Sequence, residues 1–250
     1  NDVPPALKGH RTVCQPVLAG GYHPRHFPIG QIHLAGQNGG IHLYPQVLMV
    51  AGDLNAVAVL INTVHTQQGF LRVACLRQHG AGLVYAVEVG FGQLAGSLMQ
   101  DPTIVNLEKT NIGDEKLLTL DPKPDLGSVD LSYLSLVKAV PQFRAIMHDQ
   151  GELMCLVKPL FEIDDANARR TGEIGQESYL PLLLRLVEEL NAQPSTWVEN
   201  VTHSPVTGNN GTHEFFLHVC FGSVSEKPDL AQACRAAVDR AVQLEKYHKR

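Results

Sequence analysis

The sequence predicts a doubly wound α/β fold, a mainly parallel sheet with helices on both faces. Three observations predict it. Short apolar runs recur at roughly even intervals from residue 57 onward, stretches that fit helices lie between them, and four of the first five runs end on a charged residue. Buried parallel strands read as near-continuous apolar runs, and open α/β sheets bind their ligands beyond the carboxyl ends of the strands.

The first strand is expected at Val57–Asn62 (VAVLIN), the second at Leu83–Glu88 (LVYAVE), the third over 103–108 (TIVNLE), the fourth over 127–130 (GSVD) and the fifth over 152–158 (ELMCLVK). Residues 70–79, 91–100 and 132–147 fit helices, the last in spite of Pro141. Tyr179–Asn191 (YLPLLLRLVEELN) carries an apolar face at helical spacing, and Pro181 is tolerated in its first turn, where an N–H has no intrahelical acceptor. Two more strands are expected over 196–202 and 214–221, joined by a Gly/Asn-rich loop over 204–212 (SPVTGNNGT), and a helix over 228–249 follows. Strands alternating with helices are the pattern of an α/β sheet.

Of the 250 residues 44% are hydrophobic and 18% charged, enough for one sizeable domain with a small appendage. The longest stretch without Asp, Glu, Lys or Arg, 26–52, is studded with His, Gln, Asn, Pro and Gly, so no membrane span is expected. The five cysteines (Cys14, Cys75, Cys155, Cys220, Cys234) are odd in number, contain no C-x-x-C pair and accompany no secretion signal, which points to reduced thiols in a cytoplasmic protein. A net charge of −5 argues against a protein that coats nucleic acid wholesale and leaves room for a local basic groove. Composition is uneven. Residues 1–80 hold seven charged residues, no Glu and seven of the twelve His, whereas the other 170 residues hold 38 charged ones. A divergent, loop-rich segment or a shifted reading frame in the source sequence would each produce this. Residues 1–50 are therefore expected to be irregular, with the α/β domain over 51–250.

Chemistry is expected at the strand ends. Asp130 closes the fourth strand in SVDLSYLSL (128–136), and Ser132 is placed to cap the next helix, so the carboxylate faces the crevice above the sheet. The plain alternative is that Asp130 is itself a cap. Lys158 follows an apolar strand and precedes Pro159, which ends it; such a lysine is either solvated at the sheet edge or held in the crevice with a shifted pKa. Glu214 opens the last strand, where a water-facing carboxylate is the alternative. Each signal alone is weak.

Taken in order, residues 84–111 (VYAVEVGFGQLAGSLMQDPTIVNLEKTN), then VDLSYLSL, LVKPLFE and SPVTGNNGTHEF, resemble the hemolysin-A-like (TlyA) branch of the FtsJ-type ribosomal RNA ribose 2′-O-methyltransferases. The family shows D-x-S-F-I-S-L, L-V-K-P-Q-F-E and S-P-x-x-G-x-x-G-N-x-E at similar spacing, and the resemblance covers roughly residues 57–222. It implies a Rossmann-like class I S-adenosylmethionine-dependent methyltransferase fold, with a seven-stranded, mostly parallel sheet whose last strand is antiparallel. It also implies methyl transfer to a ribose 2′-hydroxyl of ribosomal RNA by a Lys-Asp-Lys-Glu tetrad. The matching positions are Asp130, Lys158 and Glu214. Lys158 would be the base or the group that positions the hydroxyl, Asp130 its electrostatic partner near the methyl donor, and Glu214 the orienting carboxylate. A 2′-hydroxyl is a poor nucleophile at neutral pH, so a poised lysine supplies what it lacks, and alignment supplies most of the acceleration. No metal is needed for this, and His23 and His26 read as loop histidines.

The N-terminal third departs from the family. In NGGIHL (38–43) His42 stands at the family's first lysine. The methyl-donor loop aligns with NTVHTQQGF (62–70), which keeps Gly69 and Phe70 but has Asn62, Val64 and Gln68 where an acid and two glycines are expected. A β-branched residue resists the φ values of that turn, so Val64 obstructs close approach of the cofactor. Glu88 suits the ribose hydroxyls of the cofactor, with Glu108 and Asn111 flanking its adenine. The family's small N-terminal RNA-binding module is not recognisable in residues 1–38. Two readings follow: an active methyltransferase acting on ribosomal RNA or a ribosomal subunit, and a catalytically silent protein of the same fold that binds RNA or a protein partner. A nicotinamide-type oxidoreductase would need G-x-G-x-x-G after a strand, and none occurs. The oligomeric state is left open.

Overall fold

The computed structural model describes residues 57–62, 73, 76, 77, 80–92, 94, 96–208 and 211–245. Seven strands, β1 (Val57–Asn62), β2 (Leu83–Glu88), β3 (Ile104–Glu108), β4 (Leu126–Asp130), β5 (Glu152–Val157), β6 (Thr196–His203) and β7 (Phe215–Phe221), form one sheet in the order β3-β2-β1-β4-β5-β7-β6. The β3, β2, β1, β4 and β5 neighbours pair parallel, and β7 runs antiparallel to both β5 and β6. The sheet therefore has the strand count and the antiparallel last strand that the sequence implied. Every residue of β7 (FFLHVCF) is buried, as a strand covered on both faces requires. Chain order reverses between β1 and β4, and that switch point opens a crevice at their carboxyl ends.

The helices are α1 (Gly96–Met99), α2 (Leu136–Ile146), α3 (Pro159–Glu162), α4 (Ala166–Thr171), α5 (Tyr179–Asn191) and α6 (Ala231–Ala241). Leu182, Leu183, Leu186, Val187 and Leu190 of α5 recur at the helical period and are all buried, in one core with Phe143 of α2, Ala237 of α6 and the inner face of β7. Each such side chain contributes about 1.5–3 kcal/mol on burial, so this layer fixes β5 and β7 relative to one another. Pro141 inside α2 has no N–H to offer Val137. The Gln193 side chain donates to the Val137 carbonyl instead, at 2.9 Å, which removes the orphan a mid-helix proline leaves.

Three expected helices begin late or shrink, each for a visible reason. Of 91–100 only Gly96–Met99 is helical. The preceding loop is tied to β3 instead: Gly92, at φ +70°, donates to Glu108 Oε1 at 2.9 Å, and Lys109 N donates to Gly90 O. The helix expected over 132–147 starts at Leu136, because Tyr133 lies at φ +67°, outside helical space, and Ser135 supplies the cap by accepting from Val137 N. Asp229 Oδ1 accepts from Ala231 N and opens α6, which ends at Ala241 rather than running across 228–249. The sequence did not foresee α3 and α4, which are only four and six residues long.

The irregular segment expected over 1–50, His42, Gly69 and Phe70 lie outside the described residues, as does most of the helix expected over 70–79. Val73, Leu76 and Arg77 from that helix are described and are helical.

Candidate active site

The strand registers align the sequence-derived residues in one row. Glu108 pairs with Glu88, Glu88 with Asn62, and Asn62 with Asp130, each the last residue of its strand. On the far side Val157 pairs with Phe215, and the next step of that register sets Lys158 beside Glu214. A period of two places Asp130 and Lys158 on the same face of the sheet. Lys158 Nζ lies 2.5 Å from Asp130 Oδ1, with 4% of the Asp130 side chain and 16% of the Lys158 side chain exposed. The two charged groups are thus in contact at the carboxyl edge of the sheet.

Both serines of SVDLSYLSL have distinct jobs. Ser132, expected to cap α2, instead accepts a hydrogen bond from Lys158 Nζ at 3.3 Å, and Ser135 takes the capping role three residues later. The ammonium is thereby held between the Asp130 carboxylate, as an ion pair, and the Ser132 hydroxyl. Pro159 begins α3 immediately after Lys158 and fixes the direction in which the chain leaves β5.

Glu162, at the end of LVKPLFE, was not singled out from the sequence. It is buried at the start of α2, where Oε1 accepts from Leu136 N at 2.8 Å and Oε2 from Ser135 Oγ at 2.7 Å. The segment that carries Lys158 is thus fastened to the segment that carries Asp130. Arg185 of α5 donates to the Glu162 carbonyl at 2.6 Å and ties the same corner to the core helix. A buried acceptor of two hydrogen bonds is costly to remove. Glu162→Ala is expected to lower stability by about 2–4 kcal/mol, read from denaturant unfolding, by orphaning both donors. Burial pushes the Glu162 carboxyl above the usual carboxylate range, against the two donors. A raised acid binds its proton more readily in the folded chain, so its contribution is fullest below the unfolded pKa and is lost as pH rises through the folded value. The stability difference between the parent and Glu162→Gln should therefore shift against the parent as pH rises from about 4 to 7. A pH-independent difference would refute the assignment.

The loop over 204–212 shapes the Glu214 end. A Cβ on Gly208 would overlap the Glu214 carboxylate, and Gly208 N donates to Thr212 O at 2.7 Å, closing the loop on itself. The glycine of the SPVTG run is thus required by the carboxylate that follows it. Tyr179 of α5 stacks edge-on against the His213 and Phe215 rings, anchoring the start of β7 to the core.

At the other end of the row Glu88 is buried, and Oε1 accepts from Gly90 N at 2.9 Å. Val89 and Phe91 beside it are exposed, and Lys109 sits 4.9 Å over the Phe91 ring. Asn111, expected to flank an adenine, is exposed and spends its side-chain oxygen accepting from Gly113 N at 3.2 Å, closing a turn. Tyr133 is the residue the sequence reading passed over. It is 90% exposed at φ +67°, directly after Ser132, with Phe161 of α3 packed against it at 4.9 Å between ring centroids. The only signal for it in the sequence was an aromatic in the S-Y-L-S stretch that follows Asp130.

Residues 68–221 match the FtsJ-like methyltransferase family. The chain is 32% identical over 175 residues to the 16S/23S rRNA (cytidine-2′-O)-methyltransferase TlyA of Mycobacterium tuberculosis, covering 70% of this chain and 63% of that protein. It is 29% identical over 145 residues to Hemolysin A of Brachyspira hyodysenteriae, covering 58% of this chain and 60% of the other. A solved structure from Streptococcus thermophilus that carries a hemolysin name superimposes with a TM-score of 0.64 at 26% identity, over 76% of this chain and 67% of that one. The chain spans 52–63% of the length of these curated relatives and a further Bacillus subtilis one. No helix among the described residues is long and apolar enough to cross a membrane. Sheet order, the aligned carboxyl-edge row and the family match agree, and the chain belongs to the FtsJ-like methyltransferase family.

Proposed function

We propose that this chain transfers a methyl group from S-adenosylmethionine to a ribose 2′-hydroxyl of ribosomal RNA. The observation that carries the reading is the Lys158–Asp130 pair, 2.5 Å apart and nearly closed to solvent at the carboxyl edge of the sheet, with Glu214 immediately before the adjoining strand β7. The relatives named for rRNA methylation support the substrate class.

The residues present fit the cofactor. Glu88 offers a buried carboxylate at the end of β2, placed by the Gly90 N–H, for the cofactor ribose, and Glu108 lies next in the row. Asn62 stands at the end of β1 between Glu88 and Asp130, where the backbone edge of the switch point would hold the donor. When bound, S-adenosylmethionine supplies an electrophilic methyl on a sulfonium, which needs an aligned nucleophile and no metal. Lys158 meets the acceptor hydroxyl. An ammonium paired with Asp130 donates to the oxygen and stabilises the charge that grows on it as the methyl–sulfonium bond breaks, the methyl–oxygen bond forms and the hydroxyl proton passes to solvent water. Asp130 and Ser132 hold Nζ at one point, and Glu214 orients the acceptor sugar.

The exposed Tyr133 ring stacks on the base of the acceptor nucleotide. Stacking of a base on an aromatic contributes roughly 1–3 kcal/mol, so Tyr133→Ala should lower kcat/KM for ribosomal RNA by about 10-fold or more, and Tyr133→Phe should restore it. Glu88→Ala should weaken S-adenosylmethionine by about 1–3 kcal/mol in a calorimetric titration, with no change in RNA affinity. Unchanged cofactor affinity would remove Glu88 from the site.

The test of the function is transfer of labelled methyl from S-adenosylmethionine to ribosomal subunits, with the product digested by alkali. A 2′-O-methylated nucleotide protects its phosphodiester, so label in alkali-resistant dinucleotides is the expected result. Label on a base would overturn the ribose assignment. A second reading, the silent scaffold, rests on Val64 and Gln68 in the donor loop; RNA binding without detectable cofactor binding would favour it.

A further inference from the structure

At the opposite end of β5 from Lys158, six residues and roughly 20 Å of extended strand away, lies a second cluster that methyl transfer does not use. Glu152 is the first residue of β5 and pairs directly with Cys220 of β7, and His218 lies two residues from Cys220 on the same face. His218 Nε2 is 2.8 Å from Glu152 Oε2 and 3.5 Å from Cys220 Sγ, and the three ligand atoms lie within 4.8 Å of one another. His218 and Cys220 are buried, and the Glu152 side chain is 19% exposed. Among the described residues this is the one group of three such donors gathered closely enough to share an ion.

The arrangement is hard to explain as a hydrogen-bonded network alone. One ring nitrogen faces both partners, and it carries either a proton or a lone pair. With the proton it donates to Glu152 and has nothing to accept from the thiol. With the lone pair it accepts from the thiol and turns that lone pair toward a carboxylate oxygen at 2.8 Å. Either way one of the two contacts is weak, because a thiol sulfur is at best a poor second acceptor for the same N–H, and the group is mostly buried. A cation removes the conflict, because it accepts a lone pair from all three.

We propose that Glu152, His218 and Cys220 form a site for a thiophilic divalent cation of the zinc class. A thiolate, an imidazole and a carboxylate are the donor types zinc takes, and bonds of about 2.0–2.3 Å set tetrahedral ligands roughly 3.3–3.8 Å apart. The Cys220–His218 separation is already in that range, and the Glu152–His218 contact needs to open by about 0.5 Å, which the partly exposed Glu152 side chain can supply. Both strands are held by the core on their other face, so the donors are fixed before the ion arrives. The exposed edge at Glu152 is the entry route, and water takes the fourth position. Binding forms three metal–ligand bonds and breaks the Cys220 S–H bond; the proton leaves to solvent. Three protein ligands leave one position open to water, and the ion would join β5 to β7 at the end opposite Lys158 and Glu214.

The test is a cobalt(II) titration of the whole chelator-treated chain under reducing conditions, since cobalt(II) substitutes for zinc and reports thiolate ligation as a near-ultraviolet charge-transfer band. The expected result is one equivalent bound with that band, displaced by zinc(II), with the band lost in Cys220→Ser and retained in Cys234→Ser, whose cysteine is buried elsewhere. Should Cys220→Ser fail to fold, Glu152→Gln at the partly exposed position should weaken cobalt(II) at least 10-fold. No thiolate band in the parent, a band that survives Cys220→Ser, or undiminished affinity in Glu152→Gln would overturn the proposal. A negative outcome leaves the methyl-transfer assay untouched, because the two ends of β5 are read separately.

Discussion

Lys158→Ala is expected to slow methyl transfer to ribosomal RNA by a factor of about 10² to 10⁴ while leaving S-adenosylmethionine affinity within about twofold, because the lysine acts on the acceptor oxygen and not on the donor. The geometry makes the residue hard to replace. Its ammonium is fixed by Asp130 at 2.5 Å and Ser132 at 3.3 Å, so a water filling the cavity would have neither the charge nor the position. Lys158→Arg keeps the charge but carries a planar fork too large for a point held by one carboxylate and one hydroxyl, and should recover little of the rate. Unfolding midpoints must be measured alongside, since the truncation strands a nearly buried carboxylate and costs about 3–5 kcal/mol if Asp130 stays ionised. Retention of more than about a tenth of the parent rate, with the fold intact, would remove Lys158 from the chemistry.

Strand placement was legible because β1, β2, β3 and β5 are apolar runs with a charged or turn-forming end, and the register then did the rest: a row of strand-terminal residues becomes a row across the crevice. Glu88, Glu108, Asp130, Lys158 and Glu214 were therefore visible as a set once the sheet was assumed. Helix starts were less legible, since they depend on a single φ. Tyr133 at φ +67° moves the start of α2 from Ser132 to Ser135 and changes Ser132 from a cap to a partner of Lys158, and no periodicity in 132–147 announces that. Glu162 was missed for a related reason. Its partners, Ser135 and Leu136, are 27 and 26 positions away, so its role exists only after both turns are built. The Glu152–His218–Cys220 cluster needed the antiparallel register of β5 against β7, which the order of residues alone does not supply. The N-terminal third was illegible for a compositional reason: few charges and no regular period leave neither a solvated face nor a buried one to read.

Asp130→Asn should cut the rate of methyl transfer by about 10² or more, and its combination with Lys158→Ala should be no slower than Lys158→Ala alone. The amide keeps the size of the carboxylate and an oxygen that accepts from Nζ, so what is removed is the charge. That charge matters because Asp130 is nearly excluded from water and sits at the last position of β4, where register with Asn62 aims it at the switch point. Without it Lys158 is a strongly hydrated ion in a half-closed crevice, free to swing toward solvent, and the hydroxyl it served loses its fixed donor. Two residues that act as one device lose their effect once, so the coupling energy should be nearly the whole of the single-mutant effect of Asp130→Asn. Glu88→Ala, two strands across the sheet from Asp130 in the same row, should add independently to either change, because it acts on the donor. Simple additivity between Asp130→Asn and Lys158→Ala would mean that the 2.5 Å contact is structural, and that the two residues do not act on the acceptor hydroxyl as a pair.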